Sequence, residues 1–415
     1  MISPEDREPH LPKAPSTTAA RAVDGLLRDA EASAEQFVDW RHQLHRMPEL
    51  GLNTPQTTEF VRARLEQMGY APSAGVHGEV TAVIGDAAGP CVLLRADMDG
   101  LPVAERSGEP WASVNGCAHA CGHDMHATSL LGAARLLRAR CGAIRELGGC
   151  VKLLFQPGEE TLTGAAAVVA DGVLESPHVD AAFALHVNGR CPMGLMLYGE
   201  EQSAGVWGFR IRLRGHGGHG SMPHKCIDPI IAGVHVHLAI DEAMHREFAA
   251  GTEVVLSIGK FEAGSAPNVI PDECVLEGTA RAFDAEVMAK VKTRVREVVG
   301  GVASTYRVSA EVEDLSDVPP LVVDSMMTDA CLAYVGAAEP EMRFRGIQHT
   351  LGAEDFAFFS ERVPSAYFTV GAAAWDAEEH FSMHDPRIRF DDGALPLCAA
   401  AYAAAGLGWL ADKAQ

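Results

Sequence analysis

Gly116-Cys117-Ala118-His119-Ala120-Cys121-Gly122-His123-Asp124-Met125-His126 puts two thiols, three imidazoles and a carboxylate into eleven residues. These are soft and borderline donors, the kind that hold zinc and neighbouring transition metals. By itself the stretch divides evenly between two readings. One is a structural zinc knot of Cys117, Cys121, His123 and His126, although its spacing is tighter than usual. The other is part of a catalytic metal site, which would need donors from elsewhere. Such donors recur: Glu159-Glu160 and His186 end apolar runs, and His384 lies in His380-Phe381-Ser382-Met383-His384-Asp385-Pro386. Cys121, His123, Glu160, His186 and His384 together offer five side-chain ligands. That is too many for one catalytic zinc and suits two metals with open positions. Water on such a metal has a pKa of about 7 and becomes a hydroxide nucleophile at neutral pH. Glu159 is then left to take its proton and deliver it to a leaving amine. Adjacent glutamates are more often a solvated acidic turn; the company of other ligands reverses that reading.

Three further pieces could serve the same centre. Arg95-Ala96-Asp97-Met98-Asp99-Gly100 places two carboxylates just past an apolar run, which is costly unless they are paired or metal-linked. His219, on the Gly-rich stretch Gly215 to His224, could donate to the oxyanion of a tetrahedral intermediate. Alone, a loop histidine without any such role is the plainer reading. Asn268 is a second neutral donor candidate, and by itself it reads as a turn residue.

The elements must bring these residues together. Apolar runs at 80–84, 91–94, 151–155 and 181–185 read as strands, and 366–370 as another. Helices are expected at about 31–46, from Thr54-Pro55 to Gly69, after His123, near 325–336, over Glu354 to Phe359 and at 393–410. Strands alternating with helices predict an α/β catalytic domain, a mostly parallel sheet with helices on both faces. Ligands bind outside the carboxyl ends of such strands, where Asp97, Asp99, Glu159, Glu160 and His186 all stand. Between 201 and 314 the texture changes. Phe209, Ile211 and Leu213 alternate with Arg210, Arg212 and Arg214, and the order β-α-β-β-α-β is ferredoxin-like. The expected organisation is a disordered leader at 1–20, a catalytic metal-binding domain at 21–200 and 315–415, and an inserted α+β lid or dimerisation domain at 201–314.

The 415 residues are 47% hydrophobic and 22% charged, which fits a globular protein with ample core. The formal net charge of −22 argues against nucleic-acid or anionic-membrane partners. No apolar run stands out as a membrane span, and residues 1–20 lack the apolar stretch of a secretory signal. Ten cysteines without small-scaffold spacing then predict reduced thiols and a cytoplasmic location.

Several long motifs in order resemble the dinuclear metal amidohydrolases: hippurate hydrolases, auxin-conjugate hydrolases and bacterial N-acyl-amino-acid aminoacylases. They are His119 to His126, Gln156-Pro157-Gly158-Glu159-Glu160, Gly217 to His224 and Pro267-Asn268-Val269-Ile270-Pro271. Arg95 to Pro102, Gly352 to Phe356 and His384-Asp385-Pro386 match too, so the similarity spans about 35 to 410. The resemblance implies that Cys121 bridges two metals, that His123, Glu160, His186 and His384 complete the set, and that Glu159 is the base. It makes Asp99 a residue that orients ligands. The wider metallopeptidase superfamily has a His where this chain has Asp97, and often a carboxylate where it has His186. Both departures are typical of the amidohydrolase branch. The resemblance also implies a homodimer or homotetramer formed through the inserted domain, with His219 acting in its own subunit or across the dimer. His380 remains a rival to His384, and Cys117 and His126 are left without a metal role.

The expected activity is metal-dependent hydrolysis of N-acyl amino acids (acetyl, benzoyl or longer acyl) to a carboxylate and a free amino acid. The expected cofactor is two divalent ions per subunit, zinc first, with manganese, cobalt or nickel as alternatives. The rivals are a metallo-carboxypeptidase or dipeptidase on the same scaffold and an inactive metal-binding scaffold protein.

Overall fold

The computed structural model describes residues 14–347, 349–374 and 379–414. The chain divides into two compact units. One comprises Met1–Gln202, Val322–Gln348 and Asp355–Gln415; the other comprises Ser203–Leu321 and His349–Glu354. The second unit thus runs to Leu321 rather than to 314, and it recruits a short later segment.

The strands of the first unit begin with β1 (Ser73–Ala74), β2 (Val80–Gly85), β3 (Cys91–Asp97), β4 (Cys150–Gln156), β5 (Ala181–Asn188) and β6 (Leu195–Tyr198). The second unit supplies β7 (Gly205–Arg214), β8 (Val254–Ala263), β9 (Glu273–Ala282) and β10 (Ser309–Val318). The chain returns to the first with β11 (Arg343–Gly346) and β12 (Ser365–Gly371).

The first sheet has eight strands in the order β1-β2-β4-β3-β5-β12-β6-β11. The central pairs β4–β3, β3–β5 and β5–β12 are parallel. The β1–β2, β2–β4 and β12–β6 pairs are antiparallel. β3 and β4 are buried along their whole length, as a parallel strand covered on both faces must be. Two long helices matter most here: α1 (His123–Ala139) and the C-terminal α2 (Ala394–Lys413). They approach so closely that a Cβ on Gly132 would meet the Ala399 methyl at 2.8 Å. α2 is long and apolar enough to cross a membrane, contrary to the reading that no run is; here it is buried as a central helix of the core.

Two expectations change. Residues 17–20 are not a disordered leader: Thr17–Val23 is a helix whose Ser16 hydroxyl caps Ala19 N–H at 3.1 Å, with Ala19 and Val23 buried. Residues 1–13 lie outside the described residues. The helix expected over Glu354 to Phe359 is confined to Ala357–Ser360. Asp355 explains this. Its buried carboxylate is pinned by Arg95 Nη2 at 2.6 Å, Gln156 Nε2 at 2.8 Å and Ala165 N–H at 2.8 Å, so the chain there is fixed from outside.

The second unit is an antiparallel four-stranded sheet, β8-β9-β7-β10, the ferredoxin-like order. Trp207, Phe209, Ile211 and Leu213 point into a core shared with helices Pro229–Glu247 and Ala285–Tyr306. On the other face Arg210 bridges Glu277 and Glu313 at 2.8 and 3.0 Å.

Candidate metal centre

The ligand loop ends at Gly122, whose φ of +88° sets the entry into α1. A Cβ there would lie 2.5 Å from Val187 Cγ2, so only glycine fits. Asp124, in the first turn, is anchored by Arg41 Nε at 3.0 Å and His45 Nδ1 at 2.8 Å. Burial alone would raise the Asp124 pKa, but Arg41 and His45 hold it well below the carboxylate range. Burial likewise opposes the charge on His45, yet Asp124 and Glu105 raise it to about 9. This buried ion cluster fixes the helix start at which His123 projects.

Five side chains converge. Cys121 Sγ lies 3.4 Å from His186 Nε2 and 3.3 Å from His384 Nε2. His384 Nε2 is 3.5 Å from Glu160 Oε2, and His123 Nε2 is 3.8 Å from Glu160 Oε1. Cys121, His123 and His186 form one cluster and Cys121, Glu160 and His384 another, each with donor atoms within 4.8 Å of one another. The thiol belongs to both, which is the arrangement a bridging ligand takes. His123 Nδ1 donates to the Asp99 carbonyl at 2.9 Å and His186 Nδ1 to the Val187 carbonyl at 2.6 Å. With the protons on Nδ1, both Nε2 lone pairs face the cluster. His384 holds a left-handed φ of +68°, a strain of about 1–3 kcal/mol that marks functional positions.

The donor set fits divalent cations. His123 Nε2 and Glu160 Oε1 are buried without a hydrogen-bond partner, a cost that coordination removes. Burial pushes the Cys121 thiol well above its ordinary pKa, and a cation at that sulfur reverses the balance because a coordinating thiol is deprotonated.

The remaining expected residues sort clearly. Asp99 is fully buried; its Oδ1 accepts from Glu159 N–H at 3.0 Å and its Oδ2 from Glu160 N–H at 3.3 Å. It therefore sets the turn that carries both glutamates. Glu159 Oε2 stands 3.8 Å from His123 Nε2. Asp97 is held by Arg95 Nη1 at 2.7 Å and His126 Nδ1 at 2.5 Å. The knot of Cys117, Cys121, His123 and His126 does not form: Cys117 joins no cluster among the described residues, and both ring nitrogens of His126 are engaged elsewhere. His380 joins none either, and His384 takes the place.

His219 and Asn268 belong to the second unit, which brings them to one another. Val269 pairs with His219, and Gly220 N–H donates to the Asn268 carbonyl at 2.8 Å. Both are exposed. His219 Nδ1 accepts from Ser221 N–H at 3.2 Å, so its proton sits on Nε2, where it can be donated.

Sequence reading missed three supporting parts: the Arg41–Asp124–His45 anchor, the Arg95–Asp97–His126 chain and buried His119. Arg95, a lone cation in an apolar strand, was a usable signal. His119 was not: burial, with His45 and His123 adding to it, drives its pKa down to about 4, and nothing in its spacing says so.

The profile of Peptidase family M20/M25/M40 matches residues 93–407. The N-acetyl-L-cysteine deacetylase of Bacillus subtilis is 34% identical over 87% of this chain and 85% of its own length. The IAA-amino acid hydrolase ILR1-like 4 of Arabidopsis thaliana is 34% identical over 92% of this chain and 88% of its own. Among solved structures, the Bacillus subtilis YxeP protein, described as a dinuclear metal binding peptidase of the M20 family, superposes with a TM-score of 0.75 at 31% identity. That match covers 92% of this chain and 99% of YxeP.

Proposed function

Because this chain belongs to peptidase family M20/M25/M40, we propose that it hydrolyses the amide bond of N-acyl amino acids, releasing a carboxylate and a free amino acid. The observation that carries this reading is the pair of ligand clusters sharing Cys121, with Glu159 beside them. The acyl-amino-acid class is supported by two relatives, one named for deacetylating N-acetyl-L-cysteine and one for hydrolysing IAA-amino acids.

Cys121, His123, Glu160, His186 and His384 would hold two divalent ions, with zinc favoured by the thiol and imidazoles. When bound, such ions polarise the amide carbonyl and acidify water. Glu159 takes a proton from the attacking water as its oxygen bonds to the carbonyl carbon. The same carboxyl returns that proton to the amide nitrogen as the C–N bond breaks, so the amine leaves neutral. Asp99 keeps Glu159 at its post through the Glu159 amide. His219, with its proton on Nε2, and Asn268 are the donors assigned to the oxyanion.

The test is a panel of acetyl-, benzoyl- and longer-chain acyl-amino acids against free-amino dipeptides, each with zinc, manganese and cobalt. Turnover of the acylated series is expected. Faster turnover of the dipeptides would turn the assignment to a peptidase, and none on any substrate with any metal would leave a scaffold.

We also assign the second unit a pairing role. Ile231, Val234 and Leu238, 45%, 41% and 57% exposed, make an apolar stripe on helix Pro229–Glu247, and edge strand β8 exposes Val255 and Phe261. Sedimentation should give a homodimer or its tetramer; a monomer at micromolar concentration would reject this.

A further inference from the structure

His126 belongs to neither of the two clusters that share Cys121, though its donor atoms group with those of Asp97 and His123; it is fully buried and its ring centroid lies 4.4 Å from that of His186. Its Nε2 accepts the amide N–H of Val187 at 2.8 Å. An amide nitrogen can only donate, so Nε2 carries the lone pair and the proton sits on Nδ1. Nδ1 therefore donates to Asp97 Oδ1 at 2.5 Å. The other Asp97 oxygen accepts from Arg95 Nη1 at 2.7 Å. Arg95 is itself fixed by Gln156 Oε1 at 2.9 Å and Asp355 Oδ1 at 2.6 Å. Every member of this chain is 1% exposed or less.

The sheet explains why the brace is needed. β5 pairs with β3 only as far as Arg95↔Ala184, but it continues along β12 to Asn188. Beyond Ala184 one side of β5 has lost its neighbouring strand. The Val187 amide opens onto that side, and a buried N–H there cannot be left unpaired. His126 stands in for the missing strand. Val187 also receives, on its carbonyl, the Nδ1–H of His186 at 2.6 Å. Fixing Val187 thus fixes both the backbone and the ring of the residue before it.

We propose that His126, braced by Asp97 and Arg95, is a positioning residue that holds the end of β5 so that His186 presents Nε2 to Cys121. It serves the metal centre without touching metal: one ring nitrogen is spent on the amide and the other on Asp97. The inference rests on His186 being a metal ligand.

The test reads metal binding rather than turnover. Stripped wild type, His126→Gln, His126→Leu and His186→Gln are titrated with zinc against a chromophoric chelator. Each is also titrated with cobalt, following the thiolate-to-cobalt charge-transfer band, and the Tm of each metal-free form is recorded. Gln offers an NH2 donor and a C=O acceptor, so His126→Gln should keep wild-type affinity. Leu offers neither, and His126→Leu should bind one of the two equivalents about 10- to 100-fold more weakly, the usual effect of losing a residue that orients a ligand. A Leu variant that binds both equivalents like wild type overturns the proposal. So does a folded Gln variant as weak as the Leu variant. Should His126→Leu fail to fold, His126→Gln decides: native affinity with a native cobalt spectrum supports the brace, and lowered affinity at an unchanged Tm overturns it. Wild-type affinity in His186→Gln would instead remove the ligand assignment beneath it.

Discussion

Asp99→Asn should slow hydrolysis while leaving the metals in place. The buried Asp99 carboxylate spends one oxygen on Glu159 N–H and the other on Glu160 N–H. Asn keeps one acceptor and turns an NH2 group toward the second amide. Losing a hydrogen bond to a charged acceptor costs about 1.5–3 kcal/mol. If that cost falls on the turn that aims Glu159, then at about 1.36 kcal/mol per tenfold kcat/KM drops about 10- to 150-fold. Asp99→Ala, which loses both acceptors, should fall further. The shorter contact of His123 Nδ1 is with the Asp99 backbone carbonyl, at 2.9 Å against 3.5 Å to Asp99 Oδ1, so the ligand set should survive either change. The assay is kcat/KM on the best acyl-amino acid, with metal content and Tm measured on the same preparations. Asp99→Asn within about twofold of wild type refutes the reasoning. Activity lost in proportion to metal would also refute it, because Asp99 would then act through the ions and not through the turn.

Three other outcomes are expected. Glu159→Gln should retain both metal equivalents and lose at least about 10²- to 10⁴-fold in kcat, the range for removing a general base; an active Gln variant rejects that role. Exhaustive chelation should abolish turnover and re-addition of zinc restore it, whereas full activity after chelation excludes a metal mechanism. Glu339 is 1% exposed with neither carboxylate oxygen hydrogen-bonded, and burial, aided by Glu31, holds its pKa well above 4.5. The folded protein keeps this proton while the unfolded chain gives it up above pH of about 4.5, so stability falls as pH climbs from there toward the folded pKa. Glu339→Met should raise the Tm more at pH 8 than at pH 5, and an equal gain at both would show that the carboxyl is not the source.

The chemistry was legible because its residues sit where strands end. Glu159, Glu160 and His186 follow apolar runs, and a buried strand must hand its polar residues to the sheet edge. The ferredoxin-like unit was legible too, since Phe209, Ile211 and Leu213 alternate with three arginines over a half-buried strand. What stayed hidden depends on partners distant in sequence. Short strands β6 and β11 have no period long enough to read, and only pairing defines them. His126 looks like one more donor in a donor-rich loop until Val187, 61 residues later, is seen to occupy its ring nitrogen. The four-residue helix Ala357–Ser360 is short because the fixing of Asp355 outweighs local helical preference.

The burial of Ala394–Lys413 has a consequence for synthesis. A segment made after all of them is the one around which Ala34–His45, His123–Ala139 and Ser325–Ala338 assemble. Nearly all of the ferredoxin-like unit has emerged well before it. The nascent chain should therefore carry a finished satellite and an unfinished catalytic half until residues 394–413 have emerged. Stopping at residue 393 should yield material whose satellite resists protease and whose larger half is digested.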